Sequence, residues 1–129
     1  MPAHGGGRRI LLVEDDKWVR KSTAMVLAEH GYLVFEAANA ENAISLFYRE
    51  KGRFDLVISD VVMPGRSGLQ MVNPLLDINP GIPILLASGH LDGKAQLPQI
   101  IKRGLAYIQK PYEITDLLRA VEETIKKDK

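Results

Sequence analysis

Five short apolar runs recur along the chain, separated by longer stretches in which apolar residues return with helical spacing. The first, Ile10-Leu11-Leu12-Val13 behind Arg9, contains no polar position, which suits a strand buried on both faces of a parallel sheet. Leu33-Val34-Phe35 within Tyr32 to Ala37, Leu56-Val57-Ile58, Pro83-Ile84-Leu85-Leu86-Ala87 and the shorter Ala106-Tyr107-Ile108-Gln109 read as four more strands. Between the first two, Lys17 to His30 shows apolar residues at Val19, Val26 and Leu27, and Gly31 supplies a helix stop. Asn39 is placed to cap a second helix, whose apolar stripe is Ala40, Ala43, Ile44, Phe47 and Tyr48. Leu69 to Ile78 is helix-like, and Pro74 inside it is predicted to kink or shorten it. Gln99 to Arg103 before Gly104 reads as a short fourth helix with Pro98 in its first turn. Ile114, Leu117, Leu118, Val121 and Ile125 predict a final amphipathic helix.

Strict alternation of strand and helix predicts an α/β fold, one parallel sheet with helices on both faces. Right-handed crossovers leave few topologies, and strand order 2-1-3-4-5, the flavodoxin-like doubly wound (βα)5 arrangement, is the common five-stranded one. Residues 8–129 form one domain on this reading, and residues 1–7 a flexible leader. The Gly5-Gly6-Gly7 run precedes the first strand, whereas a phosphate-binding glycine loop follows a strand and opens a helix.

Composition narrows the function classes. The 129 residues are 46% hydrophobic and 26% charged, ordinary for a single globular domain. A net charge of +1 gives no electrostatic footprint for direct nucleic-acid or membrane binding. The absence of cysteine excludes thiolate metal sites and thiol catalysis. No apolar stretch approaches a membrane span, and MPAHGGGRR lacks the apolar region of a secretory signal. The expectation is a soluble cytoplasmic protein.

The chemistry gathers at strand ends. Glu14-Asp15-Asp16 follows the first strand, and Asp60 closes the third within FDLVISDVVMPGRSG. In an open parallel sheet these two ends flank the switch point where ligands bind. Two carboxylates about 4–5 Å apart repel by roughly 3–4 kcal/mol at an effective dielectric near 20. Protonation or a cation must relieve this, and an all-oxygen cluster suits a hard cation such as Mg²⁺. Asp16 reads as a helix-start acid and stands outside the primary metal set. The fourth strand ends at Ser88-Gly89, offering a hydroxyl, and the fifth at Lys110-Pro111, offering an ammonium. Carboxylate, metal, hydroxyl and lysine together make a cradle for a tetrahedral oxyanion, with Asp60 supplying the attacking oxygen.

In this order, ILLVEDD, DVVMPGRSG, ILLASGH and YIQKPY resemble the receiver domain of two-component response regulators, over about Arg8 to Lys126. The resemblance implies Asp60 as phosphoacceptor, with Mg²⁺ or Mn²⁺ held by Glu14, Asp15, Asp60 and the backbone carbonyl of Val62. It implies Lys110 as the phosphate-binding lysine, Ser88 as the switch hydroxyl and Tyr107 as the switch aromatic. Val62 and His90 fall where the family tunes dephosphorylation, and Ser88-Gly89-His90 is similar to receivers attached to hybrid kinases. The implied partners are a histidine kinase or phosphotransfer protein and an output protein, reached through the face of the fourth helix, fifth strand and fifth helix. The implied role is a signalling phosphoacceptor that catalyses only its own phosphorylation and dephosphorylation. It either stands alone or is part of a larger kinase or regulator.

Other functions are harder to reconcile with these residues. An Asp-nucleophile phosphatase would resemble DxDx[TV] at the first strand, and that pattern is absent. A nucleotide or flavin binder would carry a glycine-rich phosphate loop there. A pseudo-receiver acting only as a docking module is opposed by the full set of acids, hydroxyl and lysine.

Overall fold

The computed structural model describes residues 5–89 and 96–127. Ten elements alternate along the chain: β1 (Arg9–Val13), α1 (Lys17–Glu29), β2 (Leu33–Ala37), α2 (Ala40–Arg49), β3 (Leu56–Asp60), α3 (Gly68–Ile78), β4 (Ile84–Ser88), α4 (Leu97–Lys102), β5 (Ala106–Gln109) and α5 (Ile114–Lys127). The strands form one parallel sheet in the order β2-β1-β3-β4-β5, the doubly wound topology expected from the sequence.

Side chains alternate across a strand, so each buried run feeds two cores. Leu11, Val13, Val57 and Leu86 pack with α2, α3 and α4 through Ala43, Phe47, Met71, Val72, Leu75 and Ile100. Ile10, Leu12, Leu56, Ile58 and Leu85 pack on the other face with α1 and α5 through Ala24, Leu27, Leu117, Val121 and Ile125. Away from the strands' carboxyl ends, the Arg9 guanidinium lies over Phe35 at 4.5 Å and pairs with Glu50 at 2.6 Å, pinning the start of β1.

The helix boundaries follow local chemistry. Asp16 caps α1 by accepting from the Val19 amide, and Asn39 caps α2 by accepting from Asn42. Gly31, at φ 90°, ends α1 in the left-handed region. Ser67 and Gln70 form a reciprocal capping box at α3. That helix runs through Pro74 to Ile78 rather than being shortened, and Pro74 has no amide to donate to the Gln70 carbonyl.

Some residues assigned to apolar stripes face solvent instead. Tyr48, Val19 and Ile114 are exposed, since periodicity marks an apolar face and not how much of it is covered. Gly5 and Gly7, read as part of a loose leader, donate to the carbonyls of His30 and Gly31 at 2.6 and 2.8 Å. A Cβ on Gly5 would stand 2.5 Å from the Gly31 carbonyl carbon, so only glycine fits this approach.

Candidate phosphoryl and cation site

Glu14, Asp60 and Lys110 continue the parity of Ile10 and Leu12, of Leu56 and Ile58, and of Ala106 and Ile108. Each therefore emerges at its strand's carboxyl end on the α1–α5 side, and the three meet. Lys110 Nζ stands 2.6 Å from Asp60 Oδ1 and donates to Glu14 Oε1 at 2.9 Å. The β5–α5 turn is fixed by a backbone bond from Lys110 to the Ser88 carbonyl and holds a cis Lys110–Pro111 peptide.

Glu14 is buried, Asp60 half-buried and Asp15 exposed. Ligand oxygens from these three residues lie within 4.8 Å of one another, the one such acidic group among the described residues. An all-oxygen set of this size fits a small hard cation. Val62 is 46% exposed in the loop after β3. It lines a cavity of about 120 Å³ with Asp60, Ala87, Ser88 and Lys110.

The electrostatics are those of two carboxyls and one ammonium in a confined place. Burial pushes the Asp60 carboxyl up, a hydrogen bond with Glu14 pushes it further, and Lys110 only partly offsets both, leaving it at about 7. Burial also pushes Glu14 up, but its bonds from Asp60, the Asp16 amide and Lys110 outweigh that and hold it below the usual range. Proton binding by the coupled pair is thus favoured on Asp60 over Glu14. Burial disfavours the charged form of Lys110, and the two carboxyls more than reverse this, so it stays an ammonium.

The backbone around Asp60 is tightly built. Gly68 donates to the Val61 carbonyl at 2.8 Å, and a Cβ on Gly68 would stand 2.1 Å from the Asp60 carbonyl oxygen. Ser59 Oγ donates to that same oxygen at 2.8 Å. The glycine closing DVVMPGRSG is thus required so that α3 can start against the end of β3. Val61 is buried in the α2–α4 core, so the two valines after Asp60 split between core and solvent.

Ser88 and Tyr107 share the opposite parity. Tyr107 pairs with Leu86 in the sheet, is half-buried and packs against the α2–α4 core. Ser88 is buried at the end of β4, and its hydroxyl faces the Gly89 carbonyl at 3.4 Å rather than the carboxyls. His90 lies outside the described residues. Arg20, which the sequence reading did not single out, donates from Nη1 to the Glu14 carbonyl at 2.9 Å. The available signal was an arginine on α1 soon after the acid pair. Beside the site, a mostly apolar cleft of about 720 Å³ lies between α1 and the β5–α5 turn, lined by Trp18, Val19, Thr23, Lys110 and Tyr112.

An acid cluster with a half-buried lysine, at the switch point of a five-stranded doubly wound sheet, defines an open α/β domain with a polar ligand site at its strands' carboxyl ends. Within that class the chain belongs to the response regulator receiver domain family, which it matches over residues 10–122. It is 33% identical to the sensor kinase CckA of Brucella abortus (strain 2308) over 95% of this chain and 13% of that protein. It superposes on the crystal structure of the receiver domain from the hybrid histidine kinase CckA with a TM-score of 0.76 and 31% identity, covering 91% of this chain and 98% of that one. A response regulator receiver domain protein from Clostridium thermocellum matches with a TM-score of 0.86 at 24% identity, over 93% of this chain and 95% of that one, a likeness of fold. The chain spans only 13–22% of the length of the first curated relatives it matches. Among the described residues no helix is long and apolar enough to cross a membrane.

Proposed function

We propose that this receiver domain takes a phosphoryl group onto Asp60 from a phosphohistidine on a histidine kinase or phosphotransfer protein. A carboxylate oxygen of Asp60 forms the bond to phosphorus, and the P–N bond breaks with its electron pair returning to the imidazole. The observation that carries this reading is the meeting of Lys110 with both Asp60 and Glu14 beside a small cavity.

Glu14, Asp15, Asp60 and the main-chain carbonyl of Val62 would hold Mg²⁺ or Mn²⁺, which offsets the negative charge of the phosphoryl oxygens when bound. Lys110 supplies a second point charge that already faces Asp60. Ser88 stands at the cavity wall, where rotation of its hydroxyl would give the phosphoryl group a donor. A charge-assisted bond of that kind is worth about 1.5–3 kcal/mol, enough to tilt a two-state loop by tenfold or more. Because Ser88 and Tyr107 lie on the same side of the sheet, Tyr107 is placed to follow the Ser88 loop and alter the α4-β5-α5 face for an output partner. Val62 and His90 are assigned the tuning of phosphoryl lifetime.

Trp18 is 78% exposed at the rim of the cleft that also includes Lys110. An exposed aromatic beside a reactive site fits the docking of a protein donor. The chemistry is tested by incubating the chain with acetyl phosphate. One phosphoryl group per chain is expected in wild type and none in Asp60→Asn. An equal adduct in both would overturn the assignment of Asp60.

A further inference from the structure

We infer that Arg20 is a positioning residue for the acidic loop. Its guanidinium holds the Glu14 carbonyl and thereby sets where the Glu14 and Asp15 carboxylates stand. The inference rests on the reading of that loop as the cation-holding part of the site.

Each polar group of Glu14 has a partner. Its amide donates to the Ala37 carbonyl at 3.1 Å, Oε2 accepts from the Asp16 amide at 3.0 Å, and Oε1 accepts from Lys110 at 2.9 Å. Its carbonyl accepts from Arg20 Nη1 at 2.9 Å. That carbonyl belongs to the peptide joining Glu14 to Asp15, so fixing its plane fixes the direction from which both side chains leave.

Arg20 is itself anchored. Its Nε lies 3.3 Å from Glu36 Oε1 on β2, and its side chain is only 14% exposed. Lys21 also approaches Glu36 Oε1, at 3.2 Å. One planar fork thus ties β2, α1 and the loop after β1. A lysine at this position has a single ammonium and cannot serve both partners with that geometry.

Charge and position make opposite forecasts. Arg20 is a cation near the acids, so if only its charge mattered, removing it would tighten cation binding. If it positions the loop, removing it weakens binding despite the lost repulsion.

The test is a calorimetric Mg²⁺ titration of the full chain at pH 8, in wild type, Arg20→Ala, Arg20→Lys and Glu36→Gln, with circular dichroism melts of the metal-free proteins. Arg20→Ala and Arg20→Lys are expected to bind Mg²⁺ about tenfold more weakly, the scale on which outer partners of metal ligands act. Glu36→Gln should weaken binding less. Equal or tighter binding by a folded Arg20→Ala would overturn the inference. Should Arg20→Ala fail to fold, Arg20→Lys decides alone, and unchanged affinity there overturns it. Failure of the wild-type chain to bind Mg²⁺ would overturn the cation reading itself, and this inference with it.

Discussion

Lys110 Nζ and Asp60 Oδ1 stand 2.6 Å apart although β5 and β3 are separated in the sheet by β4. The long side chain of Lys110 crosses that gap and brings one positive charge to two carboxyls. Lys110→Ala would leave Glu14 and Asp60 facing each other without it. The metal-free variant is expected to lose about 1–2 kcal/mol at pH 8, less than a fully buried pair would because Lys110 is partly exposed. The loss should shrink at pH 5, where Asp60 carries a proton. Urea melts at the two pH values check this, and adduct formation from acetyl phosphate should slow tenfold or more.

The elevated Asp60 carboxyl fixes the sign of a pH effect. Its folded value of about 7 lies above the ordinary aspartate value of about 3.9, so between them the folded chain binds the extra proton. Its contribution to stability is therefore complete below about pH 4 and is lost as the pH rises through 7. Glu14 runs the other way. Its carboxyl is depressed, so its contribution is present above the ordinary glutamate value and is lost as pH falls through its lower folded value. Asp60→Asn should flatten the decline between pH 4 and 7 and stabilise the metal-free protein by about 1–2 kcal/mol at pH 8, the coupling to Glu14 keeping the gain modest. Denaturant melts across this range in both proteins measure it. A parallel decline in the variant would remove Asp60 as its source.

The same proton competes with a cation. Mg²⁺ affinity of the wild-type chain should fall as pH drops from 8 to 6, with uptake of about one proton on the metal-free acids. Calorimetry in two buffers of different ionisation enthalpy reads that proton directly. An affinity independent of pH would contradict the placement of the cation at Asp60.

Gly68 and Gly65 separate close approach from backbone freedom. A Cβ at Gly68 meets the Asp60 carbonyl oxygen at 2.1 Å, whereas one at Gly65 meets nothing within 4 Å, though its φ is 78°. Gly65→Ala is expected to cost about 1 kcal/mol from backbone strain alone. Gly68→Ala must push α3 off the end of β3, at about 3 kcal/mol or more, and should also slow adduct formation. Urea melts and the acetyl phosphate reaction distinguish the two variants.

On the proposed reading, Trp18 serves donor recognition and not the chemistry. Trp18→Ala should leave the reaction with acetyl phosphate unchanged and lower transfer from a phosphohistidine protein by about tenfold or more. Radiolabel transfer measured with both donors on the same preparation tests this.

Much of this arrangement could be read from the chain itself. The runs Leu11-Leu12-Val13 and Leu85-Leu86-Ala87 mark fully buried parallel strands, and connection rules then leave little choice of order. Glu14, Asp60 and Lys110 were legible because each ends or directly follows its strand, where parity sends it to a common side. Less legible were contacts between a side chain and a distant main chain. Arg20 reaching the Glu14 carbonyl, and Gly68 pressing on the Asp60 carbonyl, leave no periodic trace. Tyr48 and Ile114 are exposed although they lie on apolar stripes, because periodicity does not encode how much of a face is covered. The Ser67–Gln70 capping box does leave a local trace, S-x-x-Q before an apolar run.

The most direct test of Asp60 as phosphoacceptor is chemical trapping. The chain is incubated with acetyl phosphate and Mg²⁺, reduced with borohydride and digested, and the peptide spanning residue 60 is sequenced by mass. Reduction of an aspartyl phosphate there converts the side chain to that of homoserine, and this conversion at position 60 alone is the expected result. Conversion at another acid, such as Asp15, or phosphorylated chain with position 60 unreduced, would contradict it.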